Sequence, residues 1–116
     1  HLAGDRVLQD IAILVSKNIR KIDLAARYGG EEFAVILPST NKENTRTVAE
    51  KIRKLIEDYQ FPFQESQPNK NLTISVGVSS YPSSGKTFEE LVSCADKRLY
   101  LAKARGKNIV VDEGGC

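Results

Sequence analysis

The sequence predicts an α/β domain, an α+β sandwich in which helices pack on a mainly antiparallel sheet. Three observations predict it. Apolar residues recur at helical spacing in three stretches, a run alternates with period two over 72–79, and two adjacent glycines, Gly29 and Gly30, separate two β-forming runs. The resulting order is helix, hairpin, helix, strand, helix, strand. With 116 residues the chain has room for one core, and residues 1–112 are expected to form the domain, with 113–116 a tail opening at Gly114-Gly115-Cys116.

The first helix is expected over Asp5–Ile22, with Leu8, Ile11, Ala12, Val15, Ile19 and Ile22 on one stripe. Asp5 suits its positive end, and Arg20 and Lys21 suit its last turn. The hairpin follows, running from Leu24-Ala25-Ala26 through Arg27-Tyr28-Gly29-Gly30-Glu31-Glu32 to Phe33-Ala34-Val35-Ile36-Leu37, and it ends at Pro38, which cannot donate to a ladder. Ser39-Thr40-Asn41 offers a cap for a second helix over Lys42–Tyr59 that buries Val48, Ile52, Leu55, Ile56 and Tyr59. Arg46, Lys51, Arg53 and Lys54 then form a solvated face.

Residues 61–71 read as a connection. Leu72 to Ser79 is a strand with one face in the core, and Gly77 within it marks a bulge or the close approach of another backbone. Thr87-Phe88-Glu89-Glu90 is a capping box opening a third helix, whose stripe is Phe88, Leu91, Val92, Ala95, Leu99 and Ala102 and whose stop is Gly106. Asn108 to Val111 closes the fold as a short strand.

Composition removes several function classes. A net charge of +2 provides no broad basic field, so a nucleic acid polymer is not an expected partner. No apolar run reaches the length of a membrane span, and no signal-peptide pattern opens the chain. Cys94 in a helical pattern and Cys116 at the end suggest neither a disulfide framework nor a metal motif, which fits a reducing cytoplasm. The chain holds no methionine and starts at His1, so it reads as a fragment.

The chemistry concentrates at the hairpin. Glu31 and Glu32 repel each other with no lysine within two positions, and a divalent cation would neutralise them. Asp96, Tyr100 and Lys103 share one face of the third helix, and Lys107 follows its end; two lysines so placed suit a polyphosphate, although a solvated face explains the same pattern. Ser84-Gly85-Lys86-Thr87 mimics the end of a P-loop, but Ser80 stands where that motif requires glycine.

These segments together resemble the GGDEF family of diguanylate cyclases in its Gly-Gly-Glu-Glu-Phe variant. His1 to Asp5 is similar to the family's Gly-His-x-x-Gly-Asp segment, and Arg27 to Phe33 to its signature. Thr73 to Val78 is similar to its Ser-x-Gly strand, and Ala95-Asp96 through Ala102-Lys103 to Gly106-Lys107-Asn108 to its closing helix and strand. The resemblance implies a nucleotidyl-cyclase palm-like fold and condensation of two GTP into cyclic di-GMP with Mg²⁺ (or Mn²⁺), each GTP brought by one domain of a homodimer. By the same resemblance Glu31 is a metal ligand and assists deprotonation of the ribose hydroxyl. Glu32 stands beside it with Arg27 as charge partner, and Gly29 and Gly30 let the backbone approach the nucleotide. Asp5 accepts from guanine, and Lys103 and Lys107 hold the terminal phosphates.

Lys107 departs from the arginine the family commonly carries, and lysine cannot make a two-pronged phosphate contact. Arg20-Lys21-Ile22-Asp23 is similar to the family's RxxD inhibitory motif, where cyclic di-GMP binds away from the active site, with Lys51 or Arg53 as a further contributor. The family's first strand, with a metal aspartate and a guanine-reading asparagine, would precede His1, so this chain alone is expected not to cyclise GTP. The resemblance also implies an upstream sensory or receiver domain and a cytoplasmic location, on a parent that is either soluble or membrane-bound. An inactive GGDEF-like module that binds GTP or cyclic di-GMP is the alternative, and a pure dimerisation domain a more remote one.

Overall fold

The computed structural model describes residues 2–30, 32–59, 61 and 72–116, with the side chains of residues 2–5 outside that description. Helix α1 spans Leu2–Lys17, strands β1 and β2 span Leu24–Gly29 and Glu32–Ile36, and α2 spans Lys42–Asp58. Strand β3 is Val76–Gly77, α3 is Phe88–Ala104 and β4 is Val110–Val111. The predicted order of elements is the observed one.

The first helix stops five residues before Ile22, and the reason is local. Asn18 folds its side-chain amide back onto the Leu14 carbonyl (2.7 Å), while its own N–H donates to Val15 (3.0 Å). These bonds satisfy carbonyls that a continuing helix would have used. Ile22, expected on the buried stripe, is 62% exposed.

Strand β1 pairs antiparallel with β2, Leu24 opposite Ile36 and Arg27 opposite Phe33, with a bulge at Tyr28 that brings Gly29 opposite Glu32. Strand β3 pairs parallel with β4, Val76 opposite Val110 and Gly77 opposite Val111. Among the described residues the sheet consists of two separate pairs, and the pairing is mainly antiparallel as expected, with the short β3–β4 pair parallel. The run 72–79 alternates as a strand should, but only Val76 and Gly77 have a ladder partner.

Two apolar clusters meet on α2. Ile52 and Ile56 pack with Ile11 and Val15 of α1 and with Phe61, and Ala25 and Phe33 of the hairpin lie against them. Ala49 packs with Val78 and Val110. Removing side chains such as Ile56 and Phe61 from water stabilises the fold by about 2 kcal/mol each. The caps read from sequence are present: Asn41 accepts from the Asn44 N–H (2.8 Å), and Thr87 and Glu90 form a reciprocal capping box.

Helix α3 lies on the β3–β4 pair through Gly77. A Cβ there would collide with the Ala95 carbonyl and the Leu99 backbone nitrogen, so the expected close approach is real and its partner is the helix backbone. The buried positions of α3 are Cys94, Arg98 and Ala102 rather than the whole predicted stripe, and Phe88 is 62% exposed. Phe88 precedes the Gly77 contact at Ala95 by seven residues, about 10 Å of helix. Arg98 is buried among carbonyls, donating to Val78 (2.8 Å) and Gly114 (2.9 Å) and to the Ser84 hydroxyl (3.2 Å).

The last residues fold back on the domain. Arg46 pairs with Asp112 (2.6 Å) and Lys42 with Glu113 (3.2 Å), and Gly115 lies against Leu101. Cys116 thereby reaches Cys94, and the two form a disulfide. That corrects the expectation of unpaired thiols: a 22-residue separation in sequence becomes contact because β4 returns the chain along α3. The compartment inferred from unpaired cysteines loses that support. Among the described residues no helix is long and apolar enough to cross a membrane.

Candidate functional site

The hairpin turn is built by Gly30 and Arg27. Gly30 has φ of +32°, a conformation that costs other residues a Cβ clash, whereas Gly29 has a strand conformation. Arg27 donates through Nε (2.9 Å) and Nη2 (2.7 Å) to the Gly30 carbonyl. The guanidinium is thus a strut across the turn. Arg27 shares a face with Phe33, its cross-strand partner, while Glu32 is one residue along β2 and points to the other face. The described bonds of Arg27 run to the Gly30 carbonyl, and a pairing with Glu32 remains what the resemblance implies. Among the described residues, and leaving aside its chain neighbours, a Cβ at either glycine would meet no atom within 4 Å, which leaves space beside the turn.

Glu32 is exposed at the start of β2. Glu31 lies outside the described residues, as does the side chain of Asp5, whose backbone falls in the opening turn of α1. Among the described residues no three acidic, histidine or cysteine side chains form a metal cluster. The donor chemistry of Glu31 and Glu32 nevertheless suits a hard divalent cation, which takes carboxylate oxygen.

Lys103 stands in the last turn of α3 and Lys107 lies just beyond the helix end, and both are exposed. The helix closes in a Schellman arrangement, with the Gly106 N–H on Lys103 (3.4 Å) and the Lys107 N–H on Ala102 (3.0 Å). Gly106 has φ of +112°, as its role as stop predicts. Lys107 (+66°) and Asn108 (+53°) then continue in the left-handed region, which costs a non-glycine residue about 1 kcal/mol, asparagine least. Something must hold them there.

The holding group is a network that sequence reasoning missed. Asn108 accepts from Arg53 (2.9 Å), donates to Glu57 (2.6 Å) and gives its backbone N–H to the Ser75 hydroxyl (3.3 Å). Arg53 also pairs with Glu50 (3.1 Å). Arg53, expected on a solvated face or at the inhibitory motif, is instead spent inside this cluster. Asparagine's tolerance of left-handed backbone directly after Gly106 was the available signal.

Arg20 and Asp23 are brought together. The guanidinium meets the carboxylate in a two-pronged contact, Nη2 to Oδ1 at 2.8 Å and Nε to Oδ2 at 3.1 Å, while the Arg20 N–H donates to Oδ2 (2.7 Å). Nη2 also reaches the Pro38 carbonyl (2.9 Å) and the Thr40 hydroxyl (2.8 Å), tying the loop before β1 to the loop after β2.

The Arg20 hydrogen bond holds the Asp23 carboxyl below its ordinary value, against the opposing effect of desolvation. Because the folded value is the lower one, the clamp contributes fully above the unfolded value near 3.8 and is lost as pH falls through the folded one. A carboxyl chemical-shift titration should therefore place the Asp23 midpoint below 3.8; a midpoint at or above it would contradict the clamp.

Three helices against short strand pairs, with a glycine-turned acidic hairpin on one side, define an α+β domain that presents carboxylates at a hairpin mouth. The diguanylate cyclase GGDEF domain profile matches residues 1–109, and the chain belongs to the GGDEF family. It is 43% identical over 111 residues to the response regulator PleD of Caulobacter vibrioides, covering 96% of this chain and 24% of PleD. It is also 43% identical over 110 residues to diguanylate cyclase A of Treponema denticola, covering 95% of this chain and 29% of that protein.

Among solved structures, the GGDEF domain of DgcB from Caulobacter crescentus in complex with c-di-GMP superposes with a TM-score of 0.85 at 29% identity, over 97% of this chain and 66% of that one. The active GGEEF domain of a diguanylate cyclase from Vibrio cholerae gives 0.84 at 30% identity, over 98% and 72%. The chain spans about a quarter of the curated relatives it matches.

Proposed function

We propose that the chain belongs to a diguanylate cyclase that condenses two GTP into cyclic di-GMP with Mg²⁺ (or Mn²⁺). The observation that supports this best is the hairpin: Arg27 braces Gly30 immediately before Glu31-Glu32, with space beside the turn. Glu31 would hold the metal, with Glu32 as a second carboxylate. When bound, the ion offsets phosphate charge and favours the ribose alkoxide. Asp5 reads guanine, Gly29 and Gly30 admit the nucleotide backbone-close, and Lys103 and Lys107 take the terminal phosphates. Each of two domains brings one GTP, and an upstream sensory or receiver domain governs their meeting. Incubating the parent protein with GTP and Mg²⁺ and measuring cyclic di-GMP tests the reading. Nucleotide bound without product would favour the inactive signalling module instead.

The Arg20–Asp23 clamp is the product-binding site in this reading. A guanidinium suits guanine O6 and N7 or a phosphate, and a carboxylate suits the guanine N–H groups. Arg20→Ala in the parent should raise the cyclic di-GMP concentration needed for half-inhibition at least about tenfold, the loss of one charge-assisted bond. Inhibition curves that superimpose would remove Arg20 from that role.

A further inference from the structure

We propose that Asn108 is a positioning residue that fixes the direction in which Lys107 leaves the end of α3, and so sets the affinity of the site for a nucleoside triphosphate. The proposal rests on the reading of Lys107 as a phosphate ligand. Lys107 itself is exposed, and among the described residues its backbone makes one bond, N–H to Ala102. That bond fixes its N–H within the Schellman close, while its carbonyl side passes directly into Asn108. The next residue supplies the determinant: the Asn108 side chain is held at both ends by α2, its oxygen by Arg53 and its nitrogen by Glu57, while its N–H is held by Ser75 just before β3.

The chemistry asks for asparagine specifically. One small side chain must accept from a guanidinium and donate to a carboxylate at once, on a backbone with φ of +53°. Aspartate could accept from Arg53 but would set a second negative charge against Glu57. Glycine would keep the backbone conformation and lose both side-chain anchors. Lysine makes this matter more than arginine would, because a single ammonium on a flexible stem has no fork to fix its approach, and its aim comes from its backbone.

Asn108→Gly in the parent protein is the test, since it should fold without strain. The KM for GTP is expected to rise about tenfold with kcat within about twofold, and the affinity for a non-hydrolysable GTP analogue to fall in parallel. Lys107→Ala should raise KM as well, and adding Asn108→Gly to it should do nothing further, because the asparagine acts through the lysine. The Glu57 carboxyl, held low chiefly by the Asn108 hydrogen bond, should titrate at higher pH in the glycine variant.

A KM unchanged in Asn108→Gly but raised in Lys107→Ala overturns the positioning role alone. A KM unchanged in Lys107→Ala overturns the phosphate assignment beneath it. An Asn108→Gly defect that persists undiminished in the Lys107→Ala background shows a structural effect and also overturns the proposal.

Discussion

Glu31→Gln in the parent protein is expected to lower cyclic di-GMP formation at least about a hundredfold while leaving the fold intact. The substitution keeps the side-chain volume and removes one charge at the mouth of a turn whose geometry comes from elsewhere: Gly30 supplies the positive φ, and Arg27 braces its carbonyl. An amide is a poor ligand for Mg²⁺ and cannot take a proton from a ribose hydroxyl, so both roles assigned to Glu31 fail together. Product assayed from GTP and Mg²⁺ by chromatography measures the loss, and an unchanged melting temperature separates chemistry from folding. Equal product from the two proteins would sink the assignment.

The site was legible wherever its signal was local. Gly30 before two glutamates is a turn whatever surrounds it, and Asn41 and Thr87 cap helices through bonds that span three residues. Longer-range features left fainter traces. Arg53 looks like any cation on a polar helix face until the chain returns 55 residues later and places Asn108 beside it. Arg98 looks like a solvated residue, yet Gly114 and Val78 cover it with carbonyls. Cys94 and Cys116 meet only because β4 turns the chain back along α3. The fold was read in the right order because periodicity is local, while sheet pairing depends on partners distant in sequence. So the alternation of 72–79 was visible but not its two-residue pairing with β4.

Gly77→Ala should destabilise the domain by about 3 kcal/mol, the upper range for forcing an extra group into a packed interior. Val76 and Val78 turn toward α2 and Gly77 turns the opposite way, onto α3. A methyl group there meets the Ala95 carbonyl and the Leu99 backbone, and helix backbone cannot rotate aside as a side chain would. The helix would have to lift from the β3–β4 pair, loosening the cover over Val111 and shifting Lys103 and Lys107 with it. Gly85→Ala is a graded comparison: its Cβ would meet the Glu90 Cβ at 2.7 Å and helix backbone at 3.2 Å, a clash too but a smaller overlap than at Gly77, so it should cost less. Urea denaturation of both variants measures the difference. A Gly77→Ala midpoint matching the parent's would mean that α3 can retreat at little cost, and the lysines at its end would then not be held by this contact.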